Sequence, residues 1–172
     1  ARRGREELES SLPSEAEASA LRGVVEDIER AAPSPGEDKA LSARFSLAAN
    51  SRQALGLVSG SVMALTEGDG SMADRLGDVY RNLGELARHD PDKAGPMMEH
   101  CASISESVRE LSRSLEAYAE KIELDEKEYA ELESRLGTLL ALKRRHGPSL
   151  DDVLGTLESA KKRLSMFDNS AK

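Results

Sequence analysis

From Met97 onward the apolar residues of this chain fall at Met97, Cys101, Ile104, Val108, Leu111, Leu115, Tyr118 and Ile122. The steps alternate four and three for more than three heptads. A seam of this kind belongs to a helix lying along another helix, because a repeat of about 3.5 residues keeps returning to one side. A half-buried strand would alternate with period two instead, and no useful stretch of the chain does. A second helix follows from Glu126 to Arg145, with Leu132, Leu136 and Leu139 on its seam. It closes in Leu142-Lys143-Arg144-Arg145-His146-Gly147-Pro148.

The rest of the chain reads the same way. Residues 2–12 suit a short helix ended by Pro13. Ser14 and Glu17 make a capping box for a helix that carries Leu21, Val24, Val25 and Ile28 and runs to about Ala32. Pro33-Ser34-Pro35-Gly36 is a rigid turn, and a long helix spans about Glu37 to Thr66. After the loop Glu67–Gly70, a helix from Ser71 to Arg88 places Met72, Leu76, Val79, Leu83 and Leu86 on a 4-3-4-3 seam. His89-Asp90-Pro91 ends it, and Gly95-Pro96 marks the start of the next, which runs to about Glu123. Asp125 and Glu128 are placed to cap the following helix. Ser149 caps the last, whose apolar face holds Leu150, Val153, Leu154, Leu157 and Leu164 and which closes at Phe167. The expected fold class is all-α: an antiparallel coiled coil with a small helical bundle, elongated.

Composition agrees. A third of the 172 residues are charged and 3% are aromatic, which suits long helices with narrow apolar stripes. The formal net charge of −8 lacks the basic excess of a freestanding nucleic-acid binder. One cysteine, Cys101, cannot form a disulfide within the chain, so a reducing compartment is expected. No apolar run approaches the ~20 residues that cross a bilayer, so no membrane partner is expected. The chain opens on Ala with a helix already under way and reads as a segment of a longer protein.

Sites of chemistry are sparse. No G-x-x-x-x-G-K-[ST] loop is present to cradle phosphates. No Glu-x-x-His pairs of a bundle enzyme occur, so no catalytic, cofactor-binding or metal-binding residue is assigned. His100 and Cys101 point about 100° apart on a helix with no further ligand at metal spacing, and Cys101 reads as a buried seam residue. Asp69 between two glycines reads as a turn. Lys143, Arg144 and Arg145 form the densest basic cluster, beside Lys161-Lys162-Arg163 and Arg2-Arg3-Arg5. They are weak candidates for DNA contact. A helix C-terminus that favours cations, with solvated faces for the other clusters, is the preferred account given the acidic total. Reversing Lys143 and Arg144 is expected to leave folding intact. Gly56/Gly60 and Gly77/Gly84 either let helices approach closely or are tolerated glycines.

Ile122-Glu123-Leu124-Asp125 through Leu154 resembles the middle region of the RecN family, bacterial double-strand-break repair ATPases of the SMC-like class. The family's returning arm reads roughly D-P-x-x-L-x-x-L-E-x-R-L-x-x-L-x-x-L-K-R-K-Y-G. Here stand Asp125, Leu132, Glu133, Arg135, Leu136, Leu139, Leu142, Lys143, Arg144, Arg145, His146 and Gly147, then Ser149 to Leu154. Glu126 replaces the usual Pro, Arg145 the Lys and His146 the Tyr. Upstream, Val25 to Ala32 followed by Gly36-Glu37-Asp38 and Leu41 resembles the family's E-I-x-x-A and G-E-D-E-x-L element.

The resemblance implies a coiled-coil arm over residues 1–172: outgoing helices in 1–66, a tip or helical insertion in 67–96 and returning helices in 97–172. The seam residues would be Ile104, Val108, Leu111, Leu115, Tyr118, Ile122, Leu132, Leu136 and Leu139. It implies an ABC-type ATPase head in the full-length chain as partner, with ATP and Mg bound there and no cofactor in this segment. It further implies homodimerisation through the tip, DNA-end bridging in recombinational repair of DNA damage, and a cytoplasmic, nucleoid-associated location. The competing reading is an independent helical adaptor that binds a partner protein's helix in a groove.

Overall fold

The computed structural model describes residues 13–172, so the expected helix at 2–12 and the Arg2-Arg3-Arg5 cluster lie outside the described residues. Six α-helices occur among the described residues: α1 (Glu15–Ala31), α2 (Glu37–Val62), α3 (Met72–His89), α4 (Pro91–Glu120), α5 (Glu126–His146) and α6 (Leu150–Ser170). A π-turn, Met63–Glu67, continues α2. No strand occurs among the described residues, and the fold class is all-α.

Two compact units form. One joins the residues up to Ser46 with Glu126–Lys172; the other is Leu47–Asp125. The chain thus divides inside the unbroken helix α2 and after α4.

In the first unit α1 lies against α6 and, more lightly, α5, while α5 and α6 form a helical hairpin. Ile28, Leu139 and Val153 are fully buried at its centre, with Leu142, Leu150 and Leu157 around them. Local signals start and stop these helices. The Ser14 hydroxyl accepts from the Glu17 N–H, and the Glu17 carboxylate accepts from the Ser14 N–H, both at 3.2 Å. Gly147 turns the chain between α5 and α6; a Cβ there would sit 2.7 Å from Asp152 Cβ, so only glycine fits. Ser149 caps α6, which runs past the expected end at Phe167 to Ser170.

In the second unit α3 and α4 form a tight antiparallel hairpin. Helix α4 begins at Pro91, not at Gly95-Pro96. The Asp90 side chain accepts from the Lys93 N–H, and proline at the first helical position needs no N–H partner. Pro96 then falls within the helix. Helix α2 ends as an α-helix at Val62, short of Thr66, because the chain widens into the π-turn closed by the Gly68 N–H on Met63 O at 2.8 Å.

Candidate functional site

The basic cluster closing α5 is largely engaged inside the first unit. Lys143 Nζ lies 2.8 Å from Asp38, and Arg145 and His146 converge on Asp27 at 2.8 and 2.7 Å. The Thr156 hydroxyl donates to His146 O at 2.7 Å and fixes the helix end. Arg144 is exposed and has no ion pair among the described residues. Of the other cluster, Lys161 pairs with Glu29 and Arg163 with Glu17.

About two turns before Lys143, Arg135 makes a larger clamp. Its Nε and Nη2 donate to the two oxygens of Glu37 at 2.7 and 3.1 Å, and Nη1 donates to Ala31 O at 2.7 Å. The guanidinium therefore ties the start of α2 to the end of α1, where Ala32 takes a left-handed conformation. The electrostatics follow these contacts. The Arg135 hydrogen bond holds Glu37 below the usual carboxylate range, against burial. The Lys143 hydrogen bond does the same for Asp38, and the His146 hydrogen bond, with help from Arg145, for Asp27. The upstream acidic element and the basic close of α5 are thus the two halves of one ion-paired joint. Reversing Lys143 would set a carboxylate against Asp38, so the expectation of intact folding holds only for Arg144.

The second unit presents a different surface. On α4 the buried residues are Ala94, Cys101, Val108 and Ser112, with Leu115, Met98, Ser105 and Ala119 half-buried. This stripe shares Cys101, Val108 and Leu115 with the expected seam but otherwise sits one residue further on. Ile104, Leu111 and Tyr118 are instead 41%, 53% and 55% exposed, and Met97 is exposed with them. Ile122 is half-buried. Across the hairpin Ala73, Leu76, Leu83 and Ala87 of α3 are half-buried, so Leu76 and Leu83 keep their places on the expected seam. Cys101 Sγ lies 3.6 Å from Leu76 O, and the Thr66 and Ser112 hydroxyls meet at 2.8 Å. A Cβ at Gly77 or Gly84 would meet nothing within 4 Å, so neither glycine marks a close approach of helices.

The displaced apolar residues make a surface. On α3, Met72, Val79 and Leu86 are exposed at seven-residue spacing. On α4, Met97, Ile104, Leu111 and Tyr118 are exposed at the same spacing. In each helix these residues precede the inward stripe by one position. A local twofold relates antiparallel helices and keeps equivalent flanks on one side. Both stripes therefore lie on one face of the hairpin. Sequence reading placed all seven residues on seams, because large apolar side chains mark a seam in sequence and the small Ala94, Ser105 and Ser112 of the observed α4 stripe do not. In α5, Leu132 and Leu139 are buried and Leu136 half-buried.

Among the described residues no group of three or more His, Cys, Asp or Glu is placed to hold a metal ion, and no helix is long and apolar enough to cross a membrane.

No protein-family model matches the chain. Individual relatives do. The DNA repair protein RecN of Deinococcus radiodurans is 29% identical over 130 residues, 76% of this chain and 23% of that protein. RecN of Aquifex aeolicus is 28% identical over 84% of this chain and 27% of its own length. RecN of Halalkalibacterium halodurans is 28% identical over 76% and 23%. The chain spans about a quarter of the length of these relatives. In keeping with the resemblance read from the sequence, the chain is similar over 51–84% of its length to one segment of proteins named DNA repair protein RecN.

Proposed function

We propose that this chain is the non-catalytic arm of a RecN-like DNA repair protein, and that two copies join through the apolar face of the α3–α4 hairpin. The relatives are named DNA repair proteins, and this supports a role in DNA repair. The observation that carries the arm reading is the packing of α1 on α6. Arg22 sits 5.8 Å above the Phe167 ring and 3.5 Å from Asp168, so early and late parts of the chain close on each other while Leu47–Asp125 forms a unit of its own. A chain whose early and late parts meet while its middle forms a separate unit has the connectivity of an arm that leaves and returns.

The apolar hairpin face supports the second half of the proposal. Two parallel stripes of large apolar side chains on one side of a hairpin are self-complementary under a twofold axis, and face-to-face pairing of two hairpins gives a four-helix bundle. In the full-length protein, an ATPase head using ATP and Mg would supply the chemistry, and paired arms would bridge DNA ends in the nucleoid. Arg144 is the cation of the α5 cluster left to meet DNA. The adaptor reading is not favoured, because it gives no account of the relationship to RecN.

The test is the full-length protein carrying Leu111→Glu with Tyr118→Glu. ATP hydrolysis should persist while tethering of two DNA ends is lost. Undiminished tethering by a variant that remains monomeric would reject the bridging role.

A further inference from the structure

The second unit has an apolar groove on another side. It runs between the last turns of α2 with the π-turn and the last turns of α4, and measures about 610 Å³. Leu55, Val58 and Val62, at helical steps of three and four, form one wall, and Ala119 the other. Glu67, Glu116 and Glu120 stand along its rim, and none of the three has an ion pair or hydrogen-bond partner among the described residues. Elsewhere in this unit Asp78 pairs with Arg81, Glu85 with Arg88, Asp90 with Lys93, and Glu106 with Arg109 and Arg113, while Asp92, Glu99 and Glu110 have no ion pair among the described residues and do not line this groove. No Lys or Arg lines the groove.

The groove's end wall is a special structure. The π-turn brings Met63 and Glu67 both to the lining, and Gly68 holds it shut: a Cβ there would lie 2.8 Å from Met63 O. A π-turn costs helix regularity and is found preferentially at functional sites.

We infer that this groove docks a cationic amphipathic helix of a partner protein, with its apolar stripe on half-buried Leu55 and exposed Met63, over a floor of buried Val58 and Val62, and its Lys or Arg residues on Glu67, Glu116 and Glu120. Two side-by-side helical walls suit an elongated occupant, and helix-in-groove docking uses apolar anchors at steps of three and four. The unneutralised carboxylates select positive charge and speed encounter. A second copy of this chain is a poor occupant, since its net charge is −8. Glu116 and Glu120 lie about 140–180° around α4 from Leu111 and Tyr118 at 100° per residue, so the groove is independent of the proposed dimer face.

The test uses the whole 172-residue chain and a fluorescent Leu-Ala-Lys peptide of about five helical turns with Leu at steps of three and four. Its counterpart carries Glu for every Lys. Anisotropy titrations should give saturable one-to-one binding of the Lys peptide only. Glu116→Lys with Glu120→Lys should weaken it by about tenfold or more, and raising salt from about 0.05 to about 0.3 M should weaken it too. Both residues are exposed, so unchanged circular dichroism is expected of the variant. Asp92→Lys with Glu99→Lys, far along α4, controls for total charge and should leave binding unchanged. Leu111→Glu with Tyr118→Glu should leave it unchanged as well, which separates this inference from the dimer proposal. No saturable binding, equal binding of the Glu peptide, or equal weakening by the Asp92/Glu99 control overturns the inference. A change of oligomeric state in the Glu116/Glu120 variant, without an effect on peptide binding, overturns it in favour of a second copy.

Discussion

Arg135 is the residue on which the first unit's corner depends. Its side chain is a third exposed and its partner Glu37 a fifth, so the bidentate pair is screened less than a surface pair. Removing the guanidinium also strips a donor from Ala31 O at a helix end. Arg135→Ala should therefore destabilise the first unit by about 1–3 kcal/mol in urea unfolding, while Arg144→Ala leaves it unchanged. Asp27, Glu37 and Asp38 all titrate lower in the folded chain than free carboxylates do. Their contribution is fully present above the ordinary carboxylate values of about 4 and is lost as pH falls through the lower folded ones. Thermal unfolding followed from neutral pH down to about 3 should show the loss setting in below about 4. Replacing Asp27 and Asp38 by Asn should flatten that profile.

Elements were the legible scale of this sequence. The capping box at Ser14–Glu17, the Gly147-Pro148 break and the Ser149 cap each lie where local chemistry puts them, because those signals depend on neighbours a few residues away. The rotation of α4 was not legible from its large apolar residues alone. Ile104 and Leu111 satisfy a heptad as well as Cys101 and Val108 do, and only the partner helix decides which flank is buried. On the partner, Ala73, Leu76, Leu83 and Ala87 are half-buried, and opposite them Cys101, Val108 and Ser112 of α4 are the buried residues. Truncation reads this out. Leu139→Ala, at a fully buried site, should cost about 2–5 kcal/mol. Leu111→Ala, at a half-exposed one, should change the monomer's stability by less than about 1 kcal/mol when unfolding is followed at high dilution. Equal costs at the two sites would place Leu111 inside the monomer core.

At the scale of the molecule, the chain separates holding from meeting. The first unit is rich in ion pairs between distant parts of the sequence: Arg135 with Glu37, Lys143 with Asp38, Arg145 with Asp27 and Arg44 with Glu128. The second has its ion pairs mostly within single helices and keeps its large apolar side chains outward. The candidate DNA contacts shrank for the same reason: Lys143 and Arg145 were legible as a cluster, but their acidic partners lie more than a hundred residues away in sequence. The apolar hairpin face carries the proposal that two copies of the chain join. Sedimentation equilibrium of the chain from about 1 to about 100 µM tests this directly. The weight-average mass should rise from 18.6 kDa toward twice that value, and Leu111→Glu with Tyr118→Glu should hold it at 18.6 kDa throughout. A wild-type chain that stays monomeric over the whole range, or a double variant that still dimerises, would contradict the account.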